Sequence, residues 1–252
     1  MPWHGPRGRR LYYEDSGRGD TLVLMPGWGG SITELGQLRA ELAAGFRVLA
    51  IDLPGSGRSE PRPRHYPAGY YQDDARTLLG LLDALKIGSA HLAGFSDGGE
   101  EALLLAELRP GLALSVATWG AAGQLVAPPG SLEAIAAVMD SPDGDLVPLA
   151  AYLAQAYGVA EARIMTRTWA QAMAAIVAGG GDISARAAHT ISCPVLLMTG
   201  TYDQYCTPEL VQELAGRIPR GEFREAPGAG HAVHQSHHDW LARQLGDWLA
   251  AH

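Results

Sequence analysis

Cysteine, clustered positive charge and long apolar runs are all scarce in this chain. Its 252 residues include only two cysteines, Cys193 and Cys206. They are too few for a disulfide scaffold and lack the spacing of a metal site, so we interpret both as small apolar side chains in a reducing compartment. No apolar run approaches the roughly 18 residues of a membrane span, and the N-terminus has no signal-like apolar core. We expect a cytoplasmic protein that does not enter membranes.

The charge balance argues against nucleic acid as a partner. The formal net charge is -8, and the 19 Lys and Arg residues are scattered apart from a small cluster at Arg7, Arg9 and Arg10. No basic stripe is present that would neutralise phosphates. There is also no internal repeat or coiled-coil seam, which disfavours a purely structural role. The sequence does not indicate an oligomeric state.

Short apolar runs alternate with amphipathic segments along most of the chain. We predict strands at 21–25, 46–52, 90–93, 112–119, 194–200 and 222–226, and helices at 32–44, 70–85, 100–106, 209–218 and 238–250. Such alternation predicts an α/β fold, with a doubly wound, mostly parallel sheet of about eight strands. Residues 121–191 are rich in alanine and helix formers instead. We predict that they form a helical cap inserted into a core made of residues 1–120 and 192–252.

Ser96 lies in the run Gly-Phe-Ser-Asp-Gly-Gly at 94–99, between a predicted strand and a predicted helix. The G-x-S-x-G spacing suits a nucleophile on a tight, strained turn, because side chains at the flanking glycines would collide with the neighbouring strand and helix. The pattern alone is weak in a chain with 32 glycines. The alternative is that Ser96 only caps the helix.

Two further candidates follow other strands of the predicted sheet. Asp203 follows the strand at 194–200, and His231 follows the last strand. Active groups collect at the carboxyl ends of parallel strands, and the chain order Ser, Asp, His is that of an α/β-hydrolase triad. The alternatives for the acid are Asp182 and Asp239. The alternatives for the histidine are His234, His237 and His238.

These residue types predict nucleophilic catalysis without a metal or cofactor. A serine hydroxyl needs a base to accept its proton, which is the predicted role of His231, and Asp203 would orient the imidazole. The oxyanion needs preorganised donors. We expect the backbone N–H of Asp97 to supply one, and that of Trp28, in the loop after the first predicted strand, to supply the other.

The motifs resemble the α/β-hydrolase superfamily over nearly the whole chain. They comprise 24–30 (LMPGWGG), 52–59 (DLPGSGRS), 94–99 (GFSDGG), 200–203 (GTYD) and 228–231 (GAGH). The run at 94–99, with Tyr157-Gly158, Trp169 and Trp119-Gly120-Ala121, is similar to the biphenyl hydrolase-like proteins, the valacyclovir hydrolase group. That resemblance implies a serine hydrolase of α-amino-acid esters in which Asp97 contacts the substrate amine.

Asp97 nevertheless has two interpretations. Its carboxylate either binds a substrate ammonium or only complements the dipole at the start of a helix. Trp28 is the other expected substrate contact. Glu100 and Glu101 add charge in the first turn of that helix and depart from the family, as does Pro26, where many relatives have histidine.

We therefore expect a hydrolase of a small ester, including an ester of an α-amino acid, acting through an acyl-enzyme. Two alternatives stay open. The same triad serves hydrolysis of a C–C bond, lactone or amide, and the same fold serves non-catalytic binding proteins.

Overall fold

The computed structural model describes residues 2–252 and shows one eight-stranded sheet. The strands are β1 Trp3–His4, β2 Leu11–Gly17, β3 Thr21–Met25, β4 Arg47–Ile51, β5 Ala90–Phe95, β6 Ala113–Trp119, β7 Val195–Gly200 and β8 Gly221–Ala226. Their spatial order is β1-β2-β4-β3-β5-β6-β7-β8. Strands β3 to β8 pair in parallel, and β1 and β2 are antiparallel. The predicted α/β class and mostly parallel sheet are confirmed.

In the part of the chain that the structure describes, nine α-helices connect and cover the strands. They are α1 Gly36–Leu42, α2 Tyr70–Ala84, α3 Asp97–Leu108, α4 Ser131–Ala137, α5 Val147–Tyr157, α6 Val159–Ala178, α7 Pro208–Arg217, α8 Val233–Ser236 and α9 His238–Ala251. Within residues 2–252, none of these helices combines the length and apolarity that crossing a membrane requires.

The sheet is buried on both faces, which explains the continuous apolar runs of its strands. Along β3, Val23 and Met25 pack into one core together with residues of α2, α3 and α7, such as Leu78. Leu22 and Leu24 point the other way, into a second core with α1 and α9. Alternate residues of one strand therefore support helices on opposite faces, as expected for a doubly wound sheet.

The sequence pattern missed or misplaced some elements. Strands β1 and β2 were not predicted, because β2 is an antiparallel strand next to the sheet edge and carries exposed polar side chains such as Asp15. The predicted helix at 32–44 is shorter, since α1 begins only at Gly36. Helix α7 begins as expected: the Thr207 side chain accepts the N–H of Leu210, and Pro208 is the first helical residue.

The polypeptide between β6 and β7 contains α4, α5 and α6, followed by a short 3-10 helix at Ala188–Thr190. An isolated bridge pairs Gln124 with Asp182, near the two ends of this segment. The sheet resumes with β7, which pairs with β6 in parallel register. The segment is thus inserted between two neighbouring strands of the sheet.

Candidate functional site

Ser96 lies on a strained turn between β5 and α3. Its backbone angles are φ 52 and ψ -118, a left-handed conformation that non-glycine residues rarely adopt. A Cβ on Gly94 would come within 2.1 Å of the Gly98 carbonyl oxygen, and one on Gly98 within 2.4 Å of the Pro26 carbonyl oxygen. Both flanking glycines are therefore required for the chain to turn here, in agreement with the steric argument from the sequence.

Ser96, His231 and Asp203 form one hydrogen-bonded chain. Ser96 Oγ lies 3.1 Å from His231 Nε2, and His231 Nδ1 lies 2.8 Å from Asp203 Oδ2. The serine and the histidine are 135 residues apart in sequence. The structure thus brings together the three residues that follow β5, β7 and β8, with the imidazole able to accept from Ser96 while donating to Asp203.

The carboxylate of Asp203 is buried and fully hydrogen-bonded. Burial alone would raise its pKa, but the hydrogen bond from His231 and the backbone N–H groups of Tyr205 and Cys206, each 2.9 Å from Oδ1, hold the pKa below its usual value. The hydroxyl of Thr199 also donates to Oδ2. Asp203 therefore stays ionised and can stabilise a positive charge on the imidazole.

The alternative residues occupy other positions. His234 accepts the indole N–H of Trp119 at 3.1 Å, and burial lowers its pKa to about 4. The other two alternative histidines contact Ser236 and Glu41. Asp182 accepts the backbone N–H of Arg186, and Asp239 lies in the first turn of α9. The geometry thus favours His231 and Asp203.

The loop after β3 packs directly against the candidate nucleophile. A Cβ on Gly27 would lie 3.2 Å from the Cβ of Ser96, and the loop turns back through a bond from the Gly30 N–H to the Gly27 carbonyl. Trp28 therefore follows a residue in contact with Ser96. Its indole stacks on Trp169 of α6 with ring centroids 4.6 Å apart, which fixes the loop from the opposite side.

Asp97 follows Ser96 and is buried beside it. Tyr70 Oη donates to its Oδ2 at 2.8 Å and Tyr71 Oη to its Oδ1 at 2.9 Å. Burial raises the pKa of Asp97 above its ordinary value. The two tyrosine hydrogen bonds offset part of that increase. The side chain borders the pocket rather than the outer surface. The contacts of the two tyrosines with Asp97 were not predicted, because the apolar periodicity of α2 shows which residues are buried but not which hydroxyl groups form hydrogen bonds.

A pocket of about 270 Å³ opens above Ser96 and His231. Its wall opposite the sheet consists of apolar residues from the segment between β6 and β7: Leu125, Val126, Ala127, Pro128, Leu132, Ile135, Leu149, Met173 and Ile183. Its polar end contains the carboxylates of Asp97 and Glu100. No lysine or arginine contributes to its lining within the described residues.

Glu100 attaches the segment between β6 and β7 to α3. Its Oε1 accepts the N–H groups of Ala122 and Gly123 at 2.9 and 2.8 Å, and its Oε2 accepts the Ser184 hydroxyl at 2.9 Å. Burial raises its pKa to about 7 despite these bonds. From sequence, Glu100 was an unusual charge in a helical turn. In the structure it joins both ends of the inserted segment.

Among the described residues, one cluster has the donor atoms for a metal ion. Asp203, Cys206 and His231 each offer a ligand atom within 4.8 Å of the others. The sequence spacing of the cysteines did not indicate this arrangement. The Cys206 thiol donates to the Gly120 carbonyl at 3.1 Å, and His231 Nδ1 is bonded to Asp203. A metal ion would therefore compete with the hydrogen bond that orients the imidazole.

Comparison with known proteins assigns this arrangement to a family. The model of the alpha/beta hydrolase family matches residues 22–244, which is most of the chain. The chain belongs to the alpha/beta hydrolase family. The expected fold is confirmed.

Individual alpha/beta hydrolases match parts of the sequence. Human serine hydrolase BPHL is 38% identical over 117 residues, or 45% of this chain and 40% of that protein, so the resemblance to the biphenyl hydrolase-like group is confirmed. A 2-hydroxy-6-oxononadienedioate/2-hydroxy-6-oxononatrienedioate hydrolase of Burkholderia vietnamiensis is 39% identical over 103 residues, or 38% of this chain and 35% of that protein. Each alignment spans less than half of either protein.

A solved structure extends the likeness to the whole fold. The enol-lactonase from Burkholderia xenovorans superposes with a TM-score of 0.81 over 99% of this chain and 100% of that chain, at 24% identity. At that identity the match supports the fold of an alpha/beta hydrolase and carries no information about substrate.

Proposed function

We propose that the protein is a cofactor-independent serine hydrolase that cleaves a small ester with a protonated amine on its acyl part. The observation that carries the proposal is the bonded chain from Ser96 Oγ through His231 to Asp203, with distances of 3.1 and 2.8 Å. We also propose residues 121–191 as the cap. That assignment is supported by the apolar pocket wall that they supply.

In the first half of the reaction, Ser96 attacks the ester carbonyl while His231 Nε2 accepts the hydroxyl proton. The negative charge that develops on the carbonyl oxygen is stabilised by the backbone N–H groups of Trp28 and Asp97. Asp203 stabilises the imidazolium without accepting its proton. When the tetrahedral species collapses, His231 gives the proton to the leaving alcohol, and the acyl group stays on Ser96.

In the second half, a water molecule repeats the sequence against the acyl-enzyme. His231 Nε2 accepts a proton from the water as its oxygen attacks the acyl carbon, and the same two N–H groups stabilise the oxyanion. The proton then returns to Ser96 Oγ as the acid product leaves. One base therefore serves both steps, and neither step requires a metal.

The amine on the acyl part is proposed from the charge of the pocket. The Asp97 carboxylate borders the pocket next to the nucleophile, and no arginine or lysine lines it within the described residues. A protonated amine would form charge-assisted hydrogen bonds there. The relatives named as dienedioate hydrolases act on substrates with two carboxylates. Such substrates would meet Asp97 and Glu100 without a neutralising cation, so we place C–C bond hydrolysis second.

Labelling by a fluorophosphonate probe tests the nucleophile. The wild-type protein should be labelled covalently, and Ser96→Ala should not. Ser131→Ala is the matched control, since Ser131 also lines the pocket but has no base beside it. Labelling that persists in Ser96→Ala would refute Ser96 as the nucleophile, and a wild-type protein that is not labelled would leave a binding role for the fold.

A pair of substrates tests the amine. Matched aminoacyl and des-amino esters of the same alcohol should differ in kcat/KM, with the aminoacyl ester preferred about tenfold or more, the worth of a charge-assisted hydrogen bond. Asp97→Asn should remove most of that preference while leaving the des-amino ester nearly unaffected. Equal losses on both esters would mean that Asp97 serves the turn and not the substrate. Rates on a lactone and on a substrate with a scissile C–C bond, measured alongside the two esters, would test the second candidate function.

A further inference from the structure

A second, much smaller cavity adjoins the nucleophile pocket. Both cavities have Trp28 and Asp97 in their walls. The inner one, which we call the recess, has a volume of about 10 Å³, enough for one water-sized group. Tyr66, Glu101 and Ser56 also line it. The recess therefore begins at the carboxylate proposed to bind the substrate amine.

Several polar atoms around the recess have no hydrogen-bond partner within residues 2–252. They are both carboxyl oxygens of Glu101, the hydroxyl of Tyr66 and the indole nitrogen of Trp28. Glu101 is only 1% exposed and Tyr66 only 6%. Buried polar atoms are rarely left unpaired, because each costs the free energy of its lost hydration. All four atoms belong to residues that line one water-sized space. The three oxygens can accept hydrogen bonds from a ligand there, whereas the indole N–H of Trp28 can only donate.

The charge around the recess favours a cation. Asp74 and Asp97 line it together with Glu101, and the one guanidinium present is that of Arg64. Arg64 already has hydrogen-bond partners, since it donates to Asp74 Oδ1 at 2.7 Å and to the carbonyl of Pro54. Arg64 lowers the pKa of Asp97 and of Glu101 through its charge, but it is hydrogen-bonded to neither of them, and burial raises both pKa values. A buried carboxyl in this position is expected to bind a positive group or to stay neutral.

We propose that the recess is the subsite for a primary ammonium group, with Glu101 as a second ligand besides Asp97. This inference rests on the proposed function, because the ammonium is that of the acyl part of the ester. It adds a residue and a size limit that the proposed function does not contain. The substrate carbon attached to the nitrogen lies in the larger pocket, and the nitrogen lies in the recess.

The donor and acceptor counts agree with this assignment. A primary ammonium has three N–H donors, and three of the residues that line the recess, Asp97, Glu101 and Tyr66, offer oxygen acceptors. The rings of Tyr66, Tyr70 and Trp28 form part of its wall, and aromatic rings attract cations. A nitrogen with added methyl groups exceeds the space of one water molecule. The recess therefore selects primary amines over N-methylated ones.

A methylation series on the wild-type protein tests the size limit without any substitution. Glycine, N-methylglycine and N,N-dimethylglycine esters of one alcohol should show falling kcat/KM, about tenfold or more for the dimethyl compound relative to glycine, since its nitrogen loses charge-assisted bonds. The uncharged 3-methylbutanoyl ester, in which a CH group replaces the nitrogen of the dimethyl compound, supplies the baseline. If the dimethyl ester is hydrolysed as well as the glycine ester, the amine lies in the open pocket and the recess is excluded as its site.

Substitutions around the recess test the residues. Glu101→Gln and Tyr66→Phe should each reduce the preference for the amino over the des-amino ester, Glu101→Gln by about tenfold. The readout is the ratio of kcat/KM for the two esters, measured for each variant and for wild type. Glu107→Gln is the matched control, because Glu107 is a further carboxyl of α3 with an unpartnered oxygen and does not line the recess.

The outcomes separate the two proposals. A wild-type enzyme without any preference for the amine contradicts the proposed substrate class and the recess together. A preference that Asp97→Asn removes but that Glu101→Gln and Tyr66→Phe leave intact overturns the recess alone. A preference that falls in all three variants, and not in Glu107→Gln, supports both.

Discussion

Trp169 contacts both Trp28 and the tyrosine that orients Asp97. Its ring stacks on Trp28 with the two planes inclined by 29°, and its Nε1–H donates to Tyr70 Oη at 3.1 Å. Tyr70 in turn donates to Asp97. One indole of α6 therefore supports the loop proposed to bind the oxyanion and the carboxylate proposed to bind the amine. Trp169 is a positioning residue for both groups.

Substitutions at Trp169 should separate its two contacts. Trp169→Ala removes both contacts, so it should lower kcat/KM for the des-amino ester by about three- to tenfold, the worth of an aromatic pair, and that for the amino ester by more. Trp169→Phe keeps a ring against Trp28 but loses the N–H, so only the amino preference should fall. Steady-state kinetics on the two esters measures both effects. Trp240→Phe in α9 is the control, and an unchanged Trp169→Ala would contradict the positioning role.

Asp203→Asn should lower kcat by about 10⁴-fold, because an amide in place of the carboxylate favours the wrong imidazole tautomer. The measurement is the initial rate on an activated ester, with thermal unfolding to show that the fold persists. Asp182→Asn and Asp239→Asn remove the other acids that the sequence offered, and their rates should stay within about twofold of wild type. A loss at either of those positions, with Asp203→Asn active, would reassign the acid.

Gly98→Ala should destabilise the protein and reduce its activity. The new Cβ would lie 2.4 Å from the Pro26 carbonyl oxygen and 2.6 Å from that of Met25, so the end of β3 must move away from the elbow. We expect the free energy of unfolding to fall by about 1–3 kcal/mol, the usual cost of overpacking. Urea denaturation and ester hydrolysis measure the two effects.

Gly80→Ala provides the opposite case within the same chain. Gly80 lies inside α2, and a Cβ there meets no other atom within 4 Å. Alanine should therefore stabilise the helix by about 0.5–1 kcal/mol and leave hydrolysis unchanged. Equal behaviour of the two alanine variants would refute the steric account of the elbow.

Glu100 should make stability depend on pH. Burial raises its pKa from the ordinary 4.5 to about 7 in the folded protein. Between these values the folded state holds a proton that the unfolded chain has released, so its contribution to stability decreases as the pH rises from 4.5 to 7. Relative to Glu100→Gln, wild type should lose about 3 kcal/mol across that window.

Urea denaturation at several pH values measures this slope. Glutamine keeps an oxygen for the N–H groups of Ala122 and Gly123 and an amide that donates to Ser184, so the variant should fold. Glu133→Gln changes an exposed carboxyl of α4 and should show the wild-type slope. A wild-type curve parallel to that of Glu100→Gln would mean that the carboxyl titrates normally.

The sequence predicted those parts of the site that depend on position along a strand. Ser96, Asp203 and His231 each follow a buried apolar run. Because such runs form parallel strands, the residues that follow them lie together at the carboxyl ends of those strands. The turn at Ser96 was predictable for a steric reason, because only glycine fits two positions before and two positions after the serine, at Gly94 and Gly98. Strand β2 was missed because only its first two residues, Leu11 and Tyr12, are buried, whereas polar residues such as Asp15 are exposed. It therefore lacks the apolar run that marks the other strands.

The surroundings of Asp97 were not predictable in the same way. Tyr70, Tyr71 and Trp169 come from helices distant in sequence, and their periodicity indicates only a buried face. From sequence, Glu101 was only an unusual charge in a helical turn, and the structure shows it to be 1% exposed. A sequence pattern specifies which face of a helix is apolar, but not which polar groups are enclosed when two faces meet.

The strand order has a consequence for the synthesis of the chain. Ser96 follows β5, in the middle of the sheet, whereas His231 follows β8, which pairs only at the far side of β7. A nascent chain that already displays the serine elbow has no imidazole to accept its proton. If Ser96 and His231 act as proposed, hydrolysis begins only after the last strand has docked, and the onset of activity during translation then signals that the sheet is complete.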